Sequence, residues 1–414
     1  MKVLHISSSD GGGGAAIASL RIHLSQRRNI KSTMFVSNKV SGFEDVNTFN
    51  SDLIKFYTYA KTGIGKKISK LQVSDNKILH SVSCLPCFLD KYINKSSNDI
   101  INLHWVQNEM LSIEAIGRIK KPLVWTLHDA WPFSGSEHYP KDFFDQRFIK
   151  GYNNKNKPKG HKTFDLDKWC WDRKKKNWKK KMHIICPSNW LAHCAKKSNL
   201  MQSWDINVIP NTLNTSKFKP WPKNIARKLF KLPLDKKIIL FGAIGGTQQY
   251  IKGWDLLSKS LEFVYQEVPD AVAVVFGESK NNSWESMNIP LFFPGKLHDS
   301  ESLSMLYSAA DIMVVPSRME SFGQTASEAS SCGTPVIAFN HSGLKDIISN
   351  NVTGYLVQPF DYKKLSNAII NLLNNNEKRK LFEIASRKKA KQSWSYSAVS
   401  KMYLELYERV LKEN

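Results

Sequence analysis

The chain is poor in acid: 36 Asp and Glu stand against 60 Lys and Arg in 414 residues, a formal net charge of +24. That imbalance calls for an anionic partner, whether nucleic acid, a lipid surface or a phosphorylated small molecule. Long hydrophobic runs are missing too, and no stretch approaches the ~20 apolar residues of a membrane-spanning helix. The opening MKVLHISSSD spells a short strand and a polar turn rather than a secretory leader. Cysteine is scarce, with six residues. Only Cys84 and Cys87 form a C-x-x-C pair, and no second pair stands at zinc spacing. These absences predict a cytoplasmic protein without a zinc knuckle, touching a membrane at most peripherally.

What is present suits packed cores. The apolar fraction is 42%, and the length favours two domains over one. Strands are predicted at 2–7, 32–38, 100–106, 122–129 and 183–188, apolar throughout as in parallel sheets covered on both faces. Gly11–Gly14 and a helical pattern follow the first of them, the start of a βαβ unit. Prolines and asparagines break the pattern at 208–224, and KIILFGAIGG (237–246) then restarts it. The predicted fold is α/β: two Rossmann-like doubly wound domains facing across a cleft. The N-terminal domain, 1–210, carries a basic insertion at about 140–182. The C-terminal domain spans 211–395, and a helix at 396–414 packs back on the N-terminal domain.

Residues 141–190 hold 15 Lys/Arg against 5 Asp/Glu, with Trp171 and Trp178 set among the lysines of WDRKKKNWKKKM. Two readings stand: a solvated face anchored by two indoles, or a patch for an anionic membrane surface.

Candidate site residues lie where strands end. DIMVVPSRMESFGQTASEAS (311–330) runs from an apolar strand into a small, polar turn flanked by Glu320 and Glu328. A helix starting near Gly323–Gln324 would turn the N–H groups of Ser321, Phe322, Gly323 and Gln324 towards a phosphate or sugar oxygen. Two carboxylates beside that donor cluster suit hydroxyls and oxyanions together, which a nucleotide-sugar presents. Gly12 and Gly13 could bring backbone N–H groups to a donor phosphate or to the acceptor. A dinucleotide site would need an acid after the next strand, and TMFVSNK ends in Asn and Lys. His128 and Asp129 end a strand, and Glu137 and His138 are weaker candidates for the acceptor. DLD at 165–167 matches a D-x-D metal motif but follows no strand, so it reads as coincidence.

The Glu320…Glu328 spacing, an E-x7-E, together with SCGTPVIAFNHSGLKDII (331–348) and VTGYLVQP (352–359), resembles retaining glycosyltransferases of the GT-B fold, family 4. TLHDAWPFSGSEHY (126–139) is similar to the colanic-acid and O-antigen branch, although SGSEHY stands where that branch has GGCHY and a cysteine cluster after it. The resemblance implies that Glu320 lies against the donor sugar, Glu328 binds the ribose, and His128 contacts the sugar near its reacting end. It also implies that Lys252 neutralises the diphosphate beside the loop after Gly242. The family's Arg at that loop is replaced here, since the chain reads Gly242-Ala243. His128, Glu320 and Lys252 are thus the expected catalytic residues. Implied with them are a nucleotide-sugar donor with UDP favoured over GDP, no cofactor or metal, and a polyprenyl-diphosphate-linked glycan acceptor. The enzyme would sit peripherally on the inner face of the cell membrane and bind no nucleic acid. The alternatives are a GT-B nucleotide-sugar epimerase and a non-catalytic polyanion-binding protein.

Overall fold

Seven short apolar runs form the first sheet: β1 (Lys2–Ser9), β2 (Lys31–Asn38), β3 (Val46–Asn47), β4 (Ile100–Leu103), β5 (Leu123–Thr126), β6 (His183–Cys186) and β7 (Ile206–Val208). Their order is β3-β2-β1-β4-β5-β6-β7, and every pair is parallel. The second sheet holds β8 (Lys237–Gly242), β9 (Ala271–Phe276), β10 (Leu291–Gly295), β11 (Ile312–Val315), β12 (Val336–Phe339) and β13 (Gly354–Val357). It is again all parallel, ordered β10-β9-β8-β11-β12-β13. The computed structural model describes residues 1–413 apart from Asp75, Lys77, 141–146, 243, 244, 246 and 279–286. Ala243 and the first part of the basic insertion therefore lie outside the described residues.

The chain divides into two units, Met1–Ile209 with Ser400–Asn414, and Pro210–Val399. In the second unit, successive strand residues face opposite cores. Ile238 and Leu240 pack with Val272 and Val274, whereas Ile239 and Phe241 pack with Ala273 and Val275. Both faces are thus covered, which explains strands without polar alternation. In the first unit the returning C-terminal segment docks on buried polar groups of the sheet. Asn102 Nδ2 donates to Tyr407 Oη at 2.7 Å, and Tyr403 Oη lies 3.2 Å from Thr126 Oγ1.

The order of each sheet reverses once, between β1 and β4 and between β8 and β11. At such a reversal the connections leave the strands' carboxyl ends in opposite directions and open a crevice. Each unit has one.

Of the two readings of the basic insertion, the structure bears on the place of its indoles. Residues Leu166–Asn177 form a helix whose Cys170, Trp171 and Lys174 are buried, as is Trp178 just beyond it. Trp178 stacks edge-on against Trp125 and donates its Nε1–H to Ile113 O at 2.8 Å. Both indoles belong to the core, so the aromatic part of the expected membrane patch is corrected. Lys174 also points inward: its ammonium donates to the carbonyls of Trp131, Ser134 and Gly135. Lys175, Lys176 and Lys179–Lys181 remain exposed.

Candidate functional site

In the second unit the crevice is built by two loops locked together. Gly253, just after the short helical turn Tyr250–Lys252, has φ +71°. A Cβ there would meet Pro316 O at 2.0 Å, so glycine alone lets this turn approach the end of β11. Arg318 seals the approach: its N–H donates to Ile251 O at 2.8 Å, and its guanidinium pairs with Asp255 at 2.7 Å and covers the Tyr250 ring. This juxtaposition brings Lys252 Nζ to 2.7 Å from Glu320 Oε1, which also accepts from Ser317 Oγ at 2.9 Å. Ser342 Oγ accepts from Glu320 N–H, and Gly343 N–H donates to Glu320 O, which ties the loop to the segment after β12.

The helix expected near Gly323–Gln324 spans Gln324–Ser331, with Gly323 as its N-cap at φ +104°. Glu328 is buried within it, and its Oε2 accepts from Tyr307 Oη at 2.7 Å. Ser321 is also buried. The Phe322 ring lies in the core against Trp394, so that residue has only its backbone to offer a ligand. Gly242 ends β8 with its Cα against Phe276, where a Cβ would lie 2.4 Å from the ring; its role in the fold is close packing. Tyr307, Ser317 and Ser342 escaped the sequence reading, because none sits in a motif and only the fold brings them to the glutamates.

In the first unit, Gly12 (φ +85°) and Gly13 lie beyond β1 with open space where a side chain would be. The preceding Asp10 is engaged, accepting from Val40 N–H and Ser41 N–H at 2.7 and 3.0 Å. Three adjacent strands each contribute a histidine to one row: His5 within β1, His104 after β4 and His128 after β5. His5 Nε2 faces Gln26 Oε1 at 3.1 Å, His5 Nδ1 faces His104 Nε2 at 3.0 Å, and His104 Nδ1 faces His128 Nε2 at 3.2 Å. With His5 Nε2–H donating to the Gln26 carbonyl, His104 donates to His5 and His128 donates to His104, which leaves His128 Nδ1 as an acceptor. Burial holds His5 and His104 well below the usual imidazole range, helped by their histidine neighbours, and takes His128 down to about 4. His5 and His104 escaped the sequence reading: the one signal for them is a histidine on each of two neighbouring strands, and each alone resembles an ordinary core residue.

The weaker acceptor candidates, Asp129, Glu137 and His138, all have partners within the fold. Asp129 is buried and accepts from His138 Nδ1 at 2.6 Å, Trp105 Nε1 at 2.9 Å and Trp131 N–H at 3.0 Å. Burial alone would raise its pKa, yet His138 and these donors hold it below the usual carboxylate value. His138 is buried against Asp129 and Ser81. Glu137 accepts from Tyr152 Oη, and burial, then the neighbouring Asp167, push its pKa well up. All three side chains turn inward.

DLD has a structural use. Asp165 caps the helix Leu166–Asn177 and pairs with Arg147 at 2.6 Å; Asp167 accepts from Gln72 Nε2 at 2.9 Å. Among the described residues, His161, Asp165 and Asp167 form the one group spaced for a metal ion. The Arg147 guanidinium already lies on both carboxylates, 2.6 and 3.9 Å away.

Residues 223–389 match the family model described as glycosyl transferases group 1. A D-inositol 3-phosphate glycosyltransferase of Thermobispora bispora is 31% identical over 223 residues, which are 50% of this chain and 51% of the relative. The chain thus spans about half the length of the curated relatives it matches. Sucrose-phosphate synthase of Thermosynechococcus elongatus superposes with a TM-score of 0.70 at 17% identity, covering 100% of both chains. Anabaena HepE in complex with UDP-glucose gives 0.66 at 16% identity, covering 99% of this chain and 100% of that one. At such identities the likeness speaks to fold, and the fold is GT-B.

Proposed function

We propose that this chain is a retaining glycosyltransferase that moves a sugar from a nucleoside-diphosphate sugar, UDP-sugar before GDP-sugar, to a hydroxyl of a lipid-linked glycan in bacterial surface-polysaccharide (O-antigen or exopolysaccharide) assembly. The observation that carries this reading is the Lys252–Glu320 pair, set at the chain reversal of the second sheet and inside the segment that matches the group 1 model. An ammonium and a carboxylate 2.7 Å apart can take a phosphoryl oxygen and a sugar hydroxyl side by side. The complexes of HepE with UDP and UDP-glucose support a uridine donor.

In this reading Lys252 spends one N–H on Glu320 and turns the others to the diphosphate. As the anomeric bond breaks, charge grows on the departing diphosphate, and a cation fixed beforehand stabilises that state more than the bound donor. Glu328, oriented by Tyr307, takes the ribose hydroxyls. His128 Nδ1 accepts a hydrogen bond from a sugar hydroxyl, and the open Gly12–Gly13 turn admits a phosphate or acceptor oxygen. Attack on the same face, with the diphosphate taking the acceptor's proton, gives retention. No metal is needed, so activity should survive EDTA. The relatives' name favours a second acceptor, a polyol phosphate in solution, which an assay with soluble and lipid-linked acceptors separates.

The test is thermal stability with UDP, GDP, ADP and CMP on the wild type and on Glu328→Gln. A ligand at a hundredfold excess over its dissociation constant adds about 2.7 kcal/mol to the folded state. One nucleotide diphosphate should raise the wild-type midpoint and fail on the variant. No shift from any of them, with the protein folded, would overturn the donor site and favour the polyanion-binding alternative.

A further inference from the structure

The helix Asp52–Ser69 is amphipathic the wrong way round. Its buried residues are Lys61 and Gly65, and the Gly65 backbone lies so close to Glu109 that a Cβ would meet Glu109 Cγ at 2.6 Å. Ile68 near the end of the helix packs on the core, and the rest of this inner side is held by polar contacts: Thr62 Oγ1 donates to Asn108 O at 2.9 Å, and Tyr57 Oη to Pro86 O at 3.3 Å. The outer side carries Leu53 (82% exposed), Phe56 (72%), Tyr59 (80%) and Ile64 (48%). Leu71 continues the apolar surface just beyond the helix. An ordinary surface helix puts its apolar stripe on the core, so this one has a partner outside the unit.

Charge identifies the partner. Lys55, Lys66, Lys67 and Lys70 are exposed around the apolar residues, and the single acid on the helix, Asp52, is paired with Lys55 at 3.0 Å. A second copy of the chain would set lysine against lysine in a protein of net charge +24. A nucleic acid would satisfy the lysines and leave the leucine and aromatic side chains in water. An anionic lipid surface meets both needs, with rings and aliphatic chains at the headgroup–acyl boundary and ammonium groups on the phosphates. We infer that the helix Asp52–Ser69 is a membrane-docking surface for anionic lipid, in place of the basic segment 141–190.

Vesicle flotation tests this without substrate, so its outcome is independent of the transfer reading. The wild type should float with phosphatidylglycerol-containing vesicles and not with phosphatidylcholine alone. The triple variant Leu53→Ser/Phe56→Ser/Tyr59→Ser changes only exposed side chains; it should keep the wild-type melting midpoint and lose binding about tenfold or more. Lys66→Gln/Lys67→Gln/Lys70→Gln should weaken binding and its salt dependence, whereas Lys175→Gln/Lys176→Gln/Lys179→Gln should leave the apolar-dependent binding in place. Wild-type flotation by the serine variant, or no flotation by the wild type, overturns the inference. So does a wild-type dimer that the serine variant turns into a monomer, since a second copy would then be the occupant.

Discussion

Lys252 is a quarter exposed and, among the described residues, makes one ion pair, with Glu320, so its loss should be felt in chemistry rather than folding. Lys252→Met is expected to lower kcat by about a hundredfold to a thousandfold with an unchanged melting midpoint, since one preorganised electrostatic contact to the leaving group disappears. The histidines predict a different response. His5, His104 and His128 are neutral when folded and would take protons near pH 6.5 once unfolded. Their contribution is therefore whole above about pH 6.5 and falls as the pH drops towards 4, by on the order of 3 kcal/mol for His128 alone. Urea midpoints at pH 7 and pH 5 should show the loss, and His128→Gln should flatten the slope. The placement of Lys252, Glu320 and Glu328 beyond strand ends and in the helix that follows was legible because short motifs mark those positions. The inward direction of Asp129, Glu137 and His138 was not legible, because residue type says nothing of direction: their partners Trp105, Tyr152 and Ser81 come from other loops.

Among the elements, parallel strands were the easiest to read, since a strand buried on both faces is a plain apolar run. Boundaries and short edge strands were not: β3 and β7 hold two and three residues, too few for any pattern. The helix Leu166–Asn177 misled for a physical reason. Burial takes the Lys174 pKa down to about 7, yet three carbonyls hold its ammonium, a partnership no sequence pattern shows. Lys174→Met should cost about 2–4 kcal/mol in chemical denaturation, because those carbonyls would be buried without donors. Gly253→Ala should also destabilise, by more than about 1 kcal/mol, and should weaken nucleotide binding as Lys252 is pushed from Glu320.

At the scale of the whole molecule, two α/β units were legible as the same grammar written twice. That the last residues belong to the first unit follows from Asn102 and Thr126, polar groups inside β4 and β5 whose partners are Tyr407 and Tyr403. The segment 210–399 alone should show a cooperative unfolding transition, whereas removal of residues 400–414 should abolish the transition of the first unit, as followed by circular dichroism. Asn102 and Tyr407 stand 305 positions apart. A ribosome making this chain therefore releases every strand of the first sheet long before the helix that completes it. The whole second unit is synthesised in that interval, with Asn102 and Thr126 waiting for their hydroxyl partners. The unit begun first is finished last, so any fault that slows the second prolongs the exposure of the first to chaperones and proteases.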